Sequence, residues 1–480
     1  MKFKLLLLIN IALSYQYCFA QTGLQSDTMY IRCTQTLDFA AEQATRLTNS
    51  LSGTQLPNCL TSTGGLYLVS ASDWTSGFFP GELWYLSNYK NDLNMQINAK
   101  KFTQLLQNQQ YTTTTHDLGF MMFCSYGNGL QFANVSGYRD VLIQSAKSLE
   151  TRFNTKVGCI RSWNSTAWSY PVIIDNMMNL EMLCWATRAT GDSTYYKNAI
   201  IHALTTMKNH FRPDYSSYHL VDYNLTTGAV IGKQTVQGYS NESSWARGQA
   251  WGLYGFTMMY RETKIEQFLV QALHIADYML RNLPSDYIPY WDYNDPTIPN
   301  TPRDASAASI SASALLQLYG FSNNVVYLRA AEKILWNLSS PTYMNTANQN
   351  MNFLLKHSTG SKPSNSQVDV PIIFADYYFV EALCRYVSLK KTISNVSEIN
   401  IIPKSITVFP NPIQRSLTIK ATESFDRIEI TDTNGKVLLF DSFSRTNQVT
   451  VKEPKNLMSG ICFLKVYSKI KLVGVEKIIK

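Results

Sequence analysis

The chain has 480 residues, 45% of them hydrophobic and 12% aromatic against 16% charged, which is ample for a large packed core and excludes a disordered chain. Its net charge of +8 is local: residues 404–480 carry 13 basic against 7 acidic side chains, Lys2 and Lys4 add two more, and the rest holds 27 of each. A neutral body bearing 29 Tyr, 22 Phe and 9 Trp excludes a basic nucleic-acid face and suits sugar rings better than phosphate.

Lys2 and Lys4 precede the apolar stretch Leu5 to Leu13, and Cys18-Phe19-Ala20 before Gln21 offers a small residue at a cleavage point. Residues 1–20 are therefore predicted to be a signal peptide. Tyr17 stands where a lipid-bearing cysteine wants a small neighbour, which disfavours a lipoprotein reading of Cys18. No later run reaches the roughly 20 apolar residues that span a bilayer, so an exported protein without a transmembrane segment is expected.

Amphipathic helical runs follow near 35–51, 81–90, 94–109, 117–126, 137–153, 175–190, 192–211, 245–263, 265–282, 305–320, 323–338 and 372–389. Twelve successive helices over residues 21–392 predict six hairpins closing into an all-α toroid, an (α/α)6 barrel. No fixed repeat period supports the alternative, a superhelical solenoid. The polar segment from Lys390 to Pro403 marks the boundary, with 393–403 as a linker. Beyond it the pattern becomes alternating and β-branched, as in Ser405-Ile406-Thr407-Val408-Phe409 and Arg427-Ile428-Glu429-Ile430-Thr431, and Asn434-Gly435 signals a hairpin turn. Residues 404–480 are predicted to form a small immunoglobulin-like β-sandwich.

Cys33, Cys59, Cys124, Cys159, Cys184, Cys384 and Cys462 remain after the leader, with no C-x-x-C pair and no Cys/His cluster. No metal site is expected. Cys33 with Cys59 is the pair open to a disulfide, whereas Cys124, Cys184 and Cys384 sit in apolar helical patterns as buried thiols. The chain has no Gly-rich phosphate loop and no Gly-x-Ser-x-Gly elbow, so no cofactor is expected.

Chemistry concentrates in three segments. His116-Asp117-Leu118-Gly119-Phe120 and Ile174-Asp175-Asn176-Met177-Met178-Asn179 each put one carboxylate at the head of an amphipathic run. Ser244-Trp245-Ala246-Arg247-Gly248-Gln249-Ala250-Trp251-Gly252 adds a guanidinium between indoles. With Asp304, these groups fall at the starts of alternate helices, whose N-termini would share one rim of the toroid. The long loops ending there carry Trp74, Phe78, Phe79, Trp163, Trp168, Tyr170, Tyr218, Tyr239 and Trp291, a lining suited to a sugar cleft. Taken singly, each Asp reads better as an N-cap.

In this order and spacing the segments resemble glycoside hydrolase family 88, the unsaturated glucuronyl hydrolases. The tail segments Val408-Phe409-Pro410-Asn411-Pro412, Asp432-Thr433-Asn434-Gly435-Lys436-Val437 and Leu457-Met458-Ser459-Gly460-Ile461 resemble the C-terminal sorting domain of the type IX secretion system of Bacteroidetes. The second resemblance implies a partner, the type IX machinery, and a secreted or cell-surface location.

The first resemblance implies a substrate left by polysaccharide lyases: an oligosaccharide, of glycosaminoglycan or ulvan type, ending in a 4,5-unsaturated uronic acid. Such a ring is a vinyl ether. Protonation at C4 and addition of water at C5 give a hemiketal that opens and sheds the next sugar, which differs from two-carboxylate displacement at the anomeric carbon. By resemblance Asp175 is the general acid and base, and Asp117 the second carboxylate. Arg247 offers a planar cationic fork to the substrate carboxylate and Trp251 a platform to the ring, with His116, His219, Lys233, Thr235 and Gln237 as further binding residues. Lys233 stands where relatives tend to have glycine, which bears on substrate preference. The alternatives are an unsaturated rhamnogalacturonyl hydrolase acting on pectin fragments and a non-catalytic secreted glycan-binding protein.

Overall fold

Two kinds of helix alternate along the body. In the computed structural model, which describes residues 28–61, 63–399, 406–432, 437–453, 460–468 and 471–480, the helices are α1 (28–50), α2 (Phe78–Lys90), α3 (Leu93–Gln104), α4 (Asn128–Ala133), α5 (Tyr138–Glu150), α6 (Leu180–Thr190), α7 (Ser193–Asn209), α8 (Ala246–Thr263), α9 (Glu266–Asn282), α10 (Ala305–Ser322), α11 (Val325–Leu338) and α12 (Ile373–Ile399). The even-numbered helices form the inner ring. For α8 and α10 burial extends around the whole circumference, and the Ala/Ser run of α10 lets its neighbours approach closely. By contrast α9 and α11 bury one face, as an outer helix does. The body is the (α/α)6 barrel that the helical periodicity predicts, and its inner helices start at a common rim. No helix among the described residues is long and apolar enough to cross a membrane.

Two inner helices open differently from the α-helices predicted at 117–126 and 175–190. The first begins as a π-helix, Gly119–Gly127, before α4. The second begins as a 3-10 turn, Ile174–Asn179, before α6. Such departures from α-geometry recur at functional sites. The last helix also outruns its predicted end at 389 and continues to Ile399, because Ile393, Val396 and Ile399 keep a helical spacing and no Gly or Pro intervenes before Pro403.

Short strands decorate the helix connections: hairpins β1 (Leu56–Leu60) with β2 (Leu66–Val69) and β3 (Phe153–Asn154) with β4 (Cys159–Ile160), then a three-stranded antiparallel sheet of β5 (Pro171–Ile173), β6 (Leu220–Tyr223) and β7 (Val230–Gln234) in that order. All seven described cysteines are free thiols, so Cys33 and Cys59 are not bridged. The signal-peptide segment lies outside the described residues.

The chain divides into two compact units, one ending at Ser388 and the other beginning at Leu389. The second holds an antiparallel sheet of β8 (Ile406–Phe409), β9 (Ser416–Thr431), β10 (Val437–Lys452), β11 (Ile461–Ser468) and β12 (Lys471–Ile479). Strand β9 pairs with β10 along its length, but with β8 near Ile419 and with β11 near Ile430. The register shifts between Ser442 and Gln448 let the sheet fold over a core of Leu417, Ile419, Phe425, Ile428, Ile430, Leu464 and Val466, an arrangement compatible with an immunoglobulin-like sandwich. The Asn434-Gly435 turn lies outside the described residues.

Candidate active site

The small sheet delivers Asp175 to the rim. Strand β5 runs straight into the 3-10 turn, and the Ile174 N–H donates to the His219 carbonyl at 3.0 Å, so Asp175 and His219 emerge side by side. Opposite them, the His116 N–H donates to the Ser162 carbonyl at 3.0 Å and sets Asp117 at the head of the π-helix. Neither aspartate caps its helix. That duty falls to Asp304, which accepts the Ser306 N–H at the start of α10.

Asp175 is buried among apolar and aromatic side chains, and this desolvation raises its carboxyl to about 7. The Arg247 charge and the nearby Trp251 indole pull the other way, while Asp117 reinforces the rise. Its Oδ2 lies 3.7 Å from His219 Nε2, too far for a hydrogen bond, and both atoms are buried without a partner. The Val236 N–H at 3.0 Å and the Gln237 N–H at 3.3 Å both donate to His219 Nδ1. The ring proton is therefore on Nε2, facing Asp175. Burial, and next the Arg247 charge, lower His219 to about 3, so the ring is neutral.

Asp117 has the same kind of neighbour. Its Oδ2 accepts the Thr115 hydroxyl at 2.6 Å and its Oδ1 lies 3.2 Å from His116 Nε2. Asn179 accepts the Phe120 N–H at 3.2 Å and turns its amide nitrogen to His116 Nδ1 at 3.4 Å. That places the ring proton on Nε2, toward Asp117. Burial, more than any charge, lowers His116 below the ordinary range.

Arg247 is not a free fork. Its guanidinium donates to Asp304 Oδ2 at 2.8 Å and to the carbonyls of Thr359 and Gly360, and it lies 4.5 Å from the Trp245 ring centroid. It acts on the site through its charge on Asp175 and as the tie between α8, Asp304 and the 359–360 loop. Trp251 departs from its expected place as a platform: it has no exposed surface, and its ring packs against Phe120 and Tyr378 at 5.1 and 5.3 Å. Its indole nitrogen is buried without a full hydrogen bond and favours the charged form of the Asp175 carboxyl.

The segment after β7 reaches the same point. Gln237 donates its side-chain amide to the Gly360 carbonyl at 3.1 Å, the oxygen that also receives Arg247. The Thr235 hydroxyl accepts the Gly238 N–H at 2.7 Å and shapes the turn. Lys233 rests its ammonium 4.7 Å from the Tyr218 ring centroid. Asn179 carries no signal in the sequence beyond its place in the Ile174–Asn179 segment, and Asp304 none beyond a helix start. Nothing in the pattern of residues 357–362 marks Thr359 and Gly360, whose backbone oxygens do the work.

One buried and one half-buried carboxyl group, each faced by a neutral imidazole on the rim of an (α/α)6 barrel, make a site suited to proton transfer on a carbohydrate. Comparison with known proteins narrows the class. The chain is 48% identical over 325 residues, 67% of its length and 81% of the relative's, to an unsaturated glucuronyl hydrolase of Formosa agariphila. It is 31% identical, over 70% of its length and 86% of the relative's, to an unsaturated chondroitin disaccharide hydrolase of Streptococcus agalactiae. Among solved structures, a heparin-specific unsaturated glucuronyl hydrolase superposes with a TM-score of 0.74 at 45% identity, covering 75% of this chain and 98% of that one. The unsaturated glucuronyl hydrolase of Streptococcus agalactiae does so at 0.71 and 29%, covering 75% and 92%. Residues 407–480 match the secretion system C-terminal sorting domain. The chain belongs to the unsaturated glucuronyl hydrolases, which are glycoside hydrolases, and carries a type IX sorting tail.

Proposed function

We propose that Asp175 is the acid and then the base in hydration of the C4=C5 bond of a terminal unsaturated uronic acid. The neutral carboxyl gives its proton to C4, and positive charge develops at C5 and the ring oxygen. Water adds at C5 and returns a proton to the Asp175 carboxylate. The hemiketal opens to a C5 ketone and the C1 hemiacetal releases the next sugar, so the enzyme ends in its starting protonation state. The observation that carries this reading is the buried carboxyl poised at about 7 beside the unpartnered Nε2–H of His219, because a general acid works best with a pKa near the operating pH. Asp117, held by Thr115 and His116, is the candidate to hold a ring hydroxyl.

The names of the relatives support a lyase-generated glycosaminoglycan disaccharide as substrate, with the heparin-type fragment favoured by 45% identity to the heparin-specific structure. Export follows from the tail: residues 1–20 act as the leader and residues 407–480 as the address for the type IX machinery, giving a secreted or cell-surface enzyme. Loss of the ultraviolet absorbance of the conjugated double bond tests the reading. Wild type should bleach an unsaturated disaccharide, and Asp175→Asn should do so at least ~100-fold more slowly. Full turnover by Asp175→Asn would remove Asp175 from the chemistry, and binding without bleaching by the folded wild type would leave a glycan-binding protein.

A further inference from the structure

Two controls on Asp175 meet at one backbone oxygen. The Gly360 carbonyl receives the Arg247 guanidinium, whose charge bears on Asp175, and the Gln237 side-chain amide at 3.1 Å. Gln237 in turn gives its backbone N–H to His219 Nδ1 at 3.3 Å, and the far side of that ring faces Asp175. Gly360 belongs to a hairpin of residues 358–370, closed by bridges between Ser358 and Val370 and between Ser361 and Ser366. Whatever fixes this hairpin fixes the surroundings of the acid.

The hairpin is held from behind through Gln367. The Gly360 N–H donates to the Gln367 carbonyl at 2.7 Å, and the two residues are pressed together: a Cβ on Gly360 would lie 2.5 Å from Gln367 Oε1 and 2.8 Å from its Cβ. Gln367 has φ +55°, a left-handed conformation that a residue with a side chain keeps only where its surroundings enforce it. Asn58 supplies that enforcement. The Gln367 side-chain amide donates to Asn58 Oδ1 at 2.6 Å, Asn58 Nδ2 donates to Thr75 Oγ1 at 2.8 Å, and the Thr75 hydroxyl donates to Asp73 Oδ1 at 2.6 Å. The direction of this chain is fixed by its end: Thr75 gives its one hydroxyl proton to Asp73, so it must accept from Asn58, which leaves the Asn58 carbonyl for Gln367. Asn58 lies in β1 and is 2% exposed, so water cannot readily stand in for either contact.

We propose that Asn58 is a positioning residue for the reaction: through Gln367 it seats the Gly360 carbonyl, and so holds the Arg247 guanidinium and the His219 ring in place beside Asp175. This rests on the reading of Asp175 as the acid. Among the described residues, the ionisable groups facing Asp175 are Arg247, Asp117 and His219, and two of the three depend on this hairpin. Arg247 released from a fixed oxygen spreads over more positions and puts less of its charge on Asp175, which favours the protonated acid. Gln237 released from the same oxygen leaves the His219 ring less firmly oriented.

The test cuts the tie at either end. Asn58→Ala removes the peg, and Gln367→Gly removes its partner while keeping the left-handed backbone, which glycine adopts freely. On an unsaturated glycosaminoglycan disaccharide, either variant should show kcat about tenfold lower and an alkaline limb of kcat/KM moved to higher pH. The double variant should be no worse than either single one, because all three cut one link. A folded Gln367→Gly with wild-type kcat or an unmoved alkaline limb overturns the positioning role, whether or not Asn58→Ala folds, and leaves the hydrolase reading in place. Losses that multiply in the double variant overturn the single tie as well. A folded wild type that bleaches no such substrate, or does so at a flat rate through pH 8, overturns the acid reading and this inference with it.

Discussion

Gly119 packs directly on Asn179: a Cβ added at Gly119 would lie 2.4 Å from Asn179 Oδ1 and 2.5 Å from its Cα. The π-helix and the 3-10 turn can approach this closely only because one of them lacks a side chain there. That approach lets Asn179 bridge the Phe120 N–H to His116 and brings both aspartates to one rim. Gly119→Ala should cost about 1–3 kcal/mol through overpacking and reduce kcat/KM more than the loss of stability alone accounts for. Urea unfolding and turnover on the same preparation check this. Unchanged turnover would mean that the spacing of the two helices does not matter to the chemistry.

Burial raises Asp175 from 3.8 to about 7, so the folded protein keeps this proton at pH values where the unfolded chain has lost it. Stability from this group is full below about 4 and is lost as pH rises through about 7. Asn cannot ionise, so Asp175→Asn should gain on wild type by on the order of 2–4 kcal/mol between pH 4 and pH 8. In wild type, kcat/KM should fall above about pH 7 as the acid ionises. Denaturant midpoints at both pH values and a pH–rate profile measure the two effects, and a flat rate through pH 8 would argue against Asp175 as the acid.

The fold was legible because it rests on repetition. Twelve apolar periodicities separated by Gly, Pro and Asn breaks leave few architectures, and Asp117, Asp175 and Arg247 could be found because each sits at the head of a run. What periodicity does not carry is the local helix type, so the π-helix at Gly119 and the 3-10 turn at Ile174 were hidden beneath an α-like pattern. Nor does it say which face of an aromatic is free: Trp251 lies one turn from Arg247 and looks like a platform until Phe120 and Tyr378 cover it. Arg247 shows the same limit from the polar side, since its partners at 304 and 359–360 are remote in sequence and two of them are backbone carbonyls.

Trp251 offers a way to separate packing from proton chemistry. Trp251→Phe keeps a ring between Phe120 and Tyr378 and removes the indole N–H. Because that group favours the charged form of Asp175, its loss should move the alkaline limb of kcat/KM to higher pH, with stability reduced by about 1 kcal/mol. Trp251→Ala should cost about 3–5 kcal/mol. A raised KM in Trp251→Phe with the pH limb in place would instead favour contact with the sugar.

Arg247 and Asp304 form an ion pair at 2.8 Å with side chains 1% and 0% exposed, so neither can be removed alone without stranding its partner. Arg247→Met should destabilise by about 3–5 kcal/mol because a buried carboxylate is left uncompensated. Adding Asp304→Asn should recover part of that, since the stranded charge goes with it. Removing the cation also takes away the strongest interaction favouring ionised Asp175, so the alkaline limb should rise in the double variant as well. Urea melts of the two single variants and the double variant give the coupling energy, and the pH–rate profile gives the electrostatic reach. If stability held and only KM rose, Arg247 would be a carboxylate clamp after all; if stability and the pH limb moved together, it is the tie that positions α8, Asp304 and the 359–360 loop around the acid.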